Sequence, residues 1–271
     1  MATEEAPAEI PAEGEEGAEN VEIELPPPCM DVSEFPLKID FFENMVAIDE
    51  KAEKIEGANN FRQVSGFPIF GSGQTTEDGF LKVLDKVKAL HGEEASEKLL
   101  WFNMRKEPVV YVNGNPFAPR NPEDLHRNLD ISFSVEELDN LEVHYTNIIK
   151  DQAEKDQTVK SFRDTAFAEN PMDREAVEDV LKVESIKGMY EIYANLRENG
   201  FPNLETFRIP VTEERSAGEA CFDMMIEALK NEPASTPCIF SDQMGRGRTT
   251  SGMVTACLIK EIQITSELRL V

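Results

Sequence analysis

The residues best suited to chemistry lie in one stretch, Ser241-Asp242-Gln243-Met244-Gly245-Arg246-Gly247-Arg248-Thr249-Thr250. It follows a short apolar run, Cys238-Ile239-Phe240, and leads into a helical pattern from about Thr249 to Ile262. Two glycines let such a loop curl until successive backbone N–H groups point inward, and the helix behind it adds the partial positive charge of its N-terminus. Arg248 supplies a planar, two-pronged donor. Residues Asp242, Gln243, Met244, Gly245, Arg246, Gly247, Arg248 and Thr249 therefore read as a cradle for a tetrahedral oxyanion. A nucleotide loop of the form Gly-x-x-x-x-Gly-Lys-Ser/Thr fits poorly, because the lysine is missing.

Other reactive residue types are sparse. Cys29, Cys221, Cys238 and Cys257 form no CxxC pair and no disulfide framework, so they read as reduced thiols. Cys238 sits four residues before Asp242 in the apolar run and cannot serve the cradle unless the loop moves. His91, His126 and His144 show neither HxxxH nor HExxH spacing, and no metal or other cofactor is expected.

The elements that must hold the loop have their own patterns. Phe61-Arg62-Gln63-Val64 and Phe67-Pro68-Ile69-Phe70-Gly71 read as strand pieces split by Ser-Gly, and Gly79–Leu90 as an amphipathic helix. Leu99-Leu100-Trp101-Phe102 is a strand buried on both faces. Pro108–Val112 is another strand, turned by Asn113-Gly114 into a hairpin. Helices are expected over Val135–Lys150, Ile186–Glu198 and Glu219–Lys230, with a strand at Thr206–Pro210. Phe222, Met224 and Met225 read as core at helical spacing, and Trp101 likewise as core. Strand, helix, strand, glycine turn and helix in succession is the grammar of an α/β sheet.

Composition narrows the partners. The 271 residues carry 53 acidic and 27 basic side chains, a formal charge of −26, which excludes a general nucleic-acid or anionic-membrane binder. Residues 1–28 hold nine Glu and no Lys or Arg, and are expected to be a disordered acidic leader. Residues 29–57 read as a connecting segment and 58–271 as the folded domain. No signal peptide and no run of about 18 apolar residues is present, so a cytoplasmic protein is expected, with a place in a cytoskeletal or other large assembly as one option.

Ile239–Ile259 resembles the active-site segment of the paladin and protein-tyrosine-phosphatase-like inositol polyphosphatase (phytase-like) family, whose signature is Cys, five residues, Arg, then Ser or Thr. Asn60-Phe61-Arg62, Trp101–Gly114 and Arg208-Ile209-Pro210-Val211-Thr212-Glu213-Glu214 look like successive blocks of the same family, with Phe222-Asp223 in register. The resemblance runs roughly from Ala58 to Ile262. It implies an α/β fold in which a parallel or mixed sheet is flanked by helices. It also implies attack on phosphorus by a thiolate, an Arg clamp on the equatorial oxygens and a proton from a carboxylic acid on a neighbouring loop. Counting back six from Arg248, the nucleophile position is Asp242, not Cys. The acid position after Pro-x-Thr holds Glu213, with Glu214 beside it, instead of Asp.

Asp242 would repel a phosphate dianion by about 4 kcal/mol per like-charge pair at 4 Å and an effective dielectric of 20. It can instead bond to the cradle amides or pair with Arg248, imitating the missing anion. Arg246 could touch a polyphosphate or face solvent, and Asn60, Phe61 and Arg62 are expected to fix packing rather than to touch substrate. The leading expectation is a catalytically inactive, phosphatase-fold binding or scaffold protein with no intact catalytic residue. Protein partners or neighbouring repeats, and a phosphate-type anion held weakly, are its expected partners. The alternative is an active cysteine-type phosphatase on inositol polyphosphates or phosphoproteins, should Asp242 replace a natural Cys. Because the chain ends soon after Ile262, the fold is expected to be trimmed at its C-terminus, or the chain to be the N-terminal part of a longer tandem protein.

Overall fold

A computed structural model describes residues 35–43, 45–48, 53–129, 131, 133–168, 170, 173–213 and 215–269. The acidic leader and Glu214 lie outside the described residues.

The first of two sheets has five strands. β2 (Arg62–Gln63), β3 (Ile69–Ser72), β4 (Leu99–Arg105), β11 (Leu204–Val211) and β12 (Cys238–Ser241) lie in the order β11-β4-β12-β3-β2. All pairs are parallel except β2 with β3. Every residue of β4 is buried. Its alternate side chains enter different cores: Leu99 and Trp101 join α1 (Glu77–Glu97) and α3 (Met189–Glu198), while Leu100, Phe102 and Met104 join α4 (Glu219–Leu229) and α5 (Gly247–Arg269). Two covered faces explain why β4 and β12 are continuously apolar rather than alternating.

The second sheet is mostly antiparallel. It contains β1 (Leu37–Ile39), β5 (Val110–Val112), β6 (Asn115–Asn121), β7 (Asp124–Asn128), β8 (Thr158–Asp164), β9 (Ala176–Lys182) and β10 (Ile186–Gly188). Their order is β10-β5-β6-β1-β8-β9, with β7 paired to β6. α2 (Val135–Asp156) covers this sheet through Leu138, Leu141, Tyr145 and Ile149. Ser134 caps α2 in a capping box with Glu137. The β5–β6 hairpin turns at Asn113 and Gly114, both at positive φ, as the Asn-Gly pair predicts.

Four expectations are corrected. The segment 29–57 is more than a connection, since it supplies β1 between β6 and β8. Ile186–Gly188 is a strand rather than the first turn of a helix, because it pairs with Val110–Val112; the helix begins at Met189, with the Gly188 N–H bonded to Glu191. Phe222 is not core: 37% of it is exposed, as is 41% of Ile226, while Met225 on the same helix is fully buried. The α5 helix begins at Gly247, two residues before the expected start.

Among the described residues no helix is long and apolar enough to cross a membrane.

Candidate functional site

The loop between β12 and α5 leaves the carboxyl end of β12, at the centre of the parallel sheet. Open α/β sheets place their sites at strand ends of this kind. Trp101 fixes its start by donating from Nε1 to Ser241 Oγ (2.9 Å). Gly245 has φ +71°, and a Cβ there would lie 2.4 Å from the Gly73 nitrogen, so only glycine fits. Asn60 donates to the Met244 carbonyl (2.7 Å), and Arg62 Nη1 donates to the Gly245 carbonyl (2.6 Å). Asn60 and Arg62 thus shape the loop from outside, and Phe61 is buried in the core beneath.

The cradle is occupied by its own chain. Asp242 Oδ1 accepts from the Gly245 and Arg246 amides, and Oδ2 accepts from the Thr249 amide (2.8 Å). A carboxylate at this place also meets the positive end of α5. Of the two alternatives left open by the sequence, Asp242 takes the amides. Arg248 turns elsewhere: Nη1 donates to both oxygens of Glu107 (2.9 and 3.1 Å) and to the Val211 carbonyl (3.2 Å).

Glu107 opens a buried network. Arg105 donates from Nε to Glu107 (3.1 Å), from Nη1 to Gln74 (3.1 Å) and from Nη2 to Asp40 (2.6 Å). Arg120 also pairs with Asp40. Gln243 of the loop donates to Asp40 (3.0 Å) and accepts from Asn128 (2.9 Å), which also donates to Glu213. Three guanidiniums thus surround two carboxylates, Asp40 and Glu107. Burial pushes the Glu107 carboxyl up, but Arg248 and Arg105 outweigh it and hold the group below the usual range. Burial draws Arg120 down to about 10.

The remaining candidates separate by position. Glu213 is half-buried beside the loop, held by Asn128 rather than standing free in solvent. Glu213, Arg215, Asp242, Gln243, Arg246 and Arg248 share a cavity of about 280 Å³. Arg246 leans away, donating to the Val46 carbonyl (2.7 Å), with its guanidinium 5.8 Å from the Phe167 ring centre. Met244 is half-buried, and Thr249 is fully buried with its hydroxyl on the Ser72 carbonyl (3.4 Å). Cys238 lies fully buried in β12, and burial pushes its thiol up to about 12, so no thiolate is available there.

Sequence reasoning missed Asp40, Gln74, Arg120 and Asn128, and gave Arg105 and Glu107 no role. One signal was present: Arg105-Lys106-Glu107 breaks an apolar strand run, and charges at such a strand end must find partners when buried. Asp40 carries no comparable mark, because its partners come from β4, β6 and the loop itself.

The model of the protein-tyrosine-phosphatase-like phytase family, described as inositol hexakisphosphate, matches residues 102–260. Paladin of Danio rerio is 27% identical over 219 residues, covering 75% of this chain and 24% of that protein. The tandemly repeated protein tyrosine phosphatase-like phytase of Mitsuokella multacida superposes with a TM-score of 0.57 at 18% identity, over 85% of this chain and 38% of that one. The PTP-like myo-inositol phosphatase of the same organism, in complex with myo-inositol-(1,3,4,5)-tetrakisphosphate, gives 0.54 at 19% identity, over 83% and 35%. The chain spans about a quarter of the length of the paladin.

Proposed function

The chain belongs to the protein-tyrosine-phosphatase-like phytase family, and we propose that it serves there as a binding module that has lost the phosphatase reaction. One observation carries this reading: the Asp242 carboxylate takes the loop amides that would otherwise hold an incoming oxyanion. A phosphoester can displace it only by bringing like charges together beside the loop. Thiolate chemistry has no group at that position, and Cys238 is both protonated and walled off in β12. Arg248 is tied to Glu107, so the clamp has a partner before any ligand arrives.

A retained loop without its reaction is a structural part. Asp242 closes the start of α5, and Gln243 ties the loop to Asp40 and Asn128, which belong to the other sheet and the chain leading from it. The partner this reading favours is a protein surface or a neighbouring repeat. Its support is the stripe Val254, Leu258 and Ile262 on α5, each more than half exposed at one-turn spacing. The ligand of the Mitsuokella complex, an inositol tetrakisphosphate, would meet Asp242 and Glu213 in the cavity beside the loop.

The test is phosphate release from inositol hexakisphosphate and from p-nitrophenyl phosphate by the full chain, with and without Mg²⁺. No release above the blank is expected. Turnover that disappears on Asp242→Asn would overturn the proposal. Asp242→Cys is expected to gain more oxyanion affinity than turnover, because Glu213 and the Arg248–Glu107 pair remain unchanged.

A further inference from the structure

A second cavity, of about 240 Å³, lies between β11 and helices α2 and α3, away from the loop. Arg208 lines it with its side chain only 8% exposed. Nε of Arg208 donates to Asp139 (2.7 Å) and Nη2 to Glu142 (2.9 Å), so two of its three nitrogens are engaged. The third, Nη1, is buried and has no hydrogen-bond partner among the described residues. Tyr193 lines the same cavity, and its hydroxyl is also buried and unpartnered among the described residues. A buried donor without an acceptor has given up its hydration and received no bond in return. Two residues that line one cavity thus each carry an unmade donor, which a bound acceptor would satisfy.

The charge balance selects the kind of acceptor. Arg208 is a single guanidinium shared by two carboxylates, Asp139 and Glu142. Arg197, also on the wall, gives its Nε and Nη2 to the neutral Leu204 carbonyl and Thr206 hydroxyl, which brings the local sum to zero. An added anion would meet Asp139 and Glu142 within a few ångströms, at a cost that cancels its attraction to Arg208. A cation would meet the guanidiniums of Arg197 and Arg208 on the same wall, which offset its attraction to the two carboxylates. The volume exceeds that of one water, whose share of liquid is about 30 Å³.

We infer that this cavity is a binding site for a small uncharged molecule bearing a carbonyl or hydroxyl oxygen, which accepts from Arg208 Nη1 and Tyr193 Oη. The site stands independently of the loop and of whether the loop turns over phosphate. Tyr190, half-exposed on the same wall, reports on the site from its rim.

The experiment titrates the full chain, carrying ring-labelled tyrosine, with N-methylacetamide and separately with sodium acetate and inorganic phosphate. Resonances of Tyr193 and Tyr190 are followed by NMR, the four tyrosines being few enough to assign by substitution. Saturable shifts at Tyr193 and Tyr190 with N-methylacetamide, and weaker or no response to acetate and phosphate, are expected. Tyr193→Phe, which keeps the ring, should weaken binding read at Tyr190 about tenfold. Arg208→Lys should weaken it further, but it also disturbs Asp139 and Glu142, so Tyr193→Phe is the deciding variant. Three results overturn the inference: no saturable response to N-methylacetamide, unchanged binding in folded Tyr193→Phe, or tighter binding of acetate or phosphate. The first would assign the cavity to ordered water alone.

Discussion

The loop side and the β11 side of this molecule each bury an arginine–carboxylate cluster, but with opposite arithmetic. On the loop side one carboxylate, Glu107, is shared by Arg105 and Arg248, and its carboxyl lies below the usual range. On the β11 side one guanidinium, Arg208, is shared by Asp139 and Glu142. There burial and the neighbouring acid push Glu142 up, against the pull of Arg208. Both sites pay for desolvated charge, yet only one is closed. Asp242 supplies the loop amides with an acceptor from within the chain, whereas Arg208 Nη1 and Tyr193 Oη have none among the described residues. A loop whose amides are satisfied from within the chain differs in kind from a pair of buried donors left without an acceptor.

The largest effect is expected where the loop-side network is cut. Arg105 is fully buried and touches Asp40, Gln74 and Glu107, so Arg105→Leu takes one of two guanidiniums from each of two buried carboxylates at once. A loss of about 3–5 kcal/mol is expected in the denaturant-unfolding free energy. A loss below about 1 kcal/mol would mean that the network is not the clamp described here. Next comes emptying the loop. Asp242→Ala leaves the Gly245, Arg246 and Thr249 amides without their acceptor, at a cost of about 1–3 kcal/mol. Inorganic phosphate should then raise the Tm of the variant but not that of the native chain, since only the vacated cradle binds it. Equal shifts in both proteins would erase the distinction between a filled and an open site.

The two halves of the fold differ in how far the sequence reveals them. Strands β4 and β12 are apolar runs buried on both faces, and the α1 and α4 periodicities are local signals, so most of the five-stranded sheet and its helices could be read directly. Of the seven-stranded sheet, only the β5–β6 hairpin with its Asn113-Gly114 turn and the covering helix α2 could be read in the same way. β8 and β9 are half-exposed and mostly polar, and β1 is three residues long, so their strand character comes from pairing with distant partners. Ile186–Gly188 shows the same effect, where a helical pattern yields to pairing with Val110–Val112. For the site, the loop and the two departures at Asp242 and Glu213 were visible because motif positions are local. Asp40, Arg120 and the Arg208–Tyr193 cavity were not, because each is assembled from elements far apart in the chain.

Opposite charge arithmetic should show as opposite pH slopes. The folded-state pKa of Glu107 is depressed below 4.5, so its contribution is present above that value and is lost as pH falls through the folded pKa. The folded-state pKa of Glu142 is raised above 4.5, so its contribution is present below 4.5 and is lost as pH rises through the folded pKa. Glu107→Gln should therefore flatten the acid limb of stability below pH 4.5, and Glu142→Gln should remove a decline above it. Chemical denaturation at a series of pH values reads both slopes. Slopes of the same sign in the two variants would break the comparison.

The smallest effect is the sharpest test, because one chemical change is made on both sides. Tyr111 stands on the loop side, accepting from Gln74 (2.7 Å) and donating to the Thr75 carbonyl (2.8 Å). Tyr193 stands on the β11 side with its hydroxyl unpartnered among the described residues. Both rings pack near Phe80, at 6.2 and 6.0 Å between centres, so losing the oxygen leaves comparable aromatic contacts behind. Tyr111→Phe strands Gln74, which also receives Arg105, and should cost about 1–2 kcal/mol. Tyr193→Phe removes a hydroxyl that is already desolvated without return, and should change stability by less than about 0.5 kcal/mol, with stabilisation as the favoured sign. If the two variants lose equal stability, Tyr193 already has a partner and the β11 cavity is as closed as the loop.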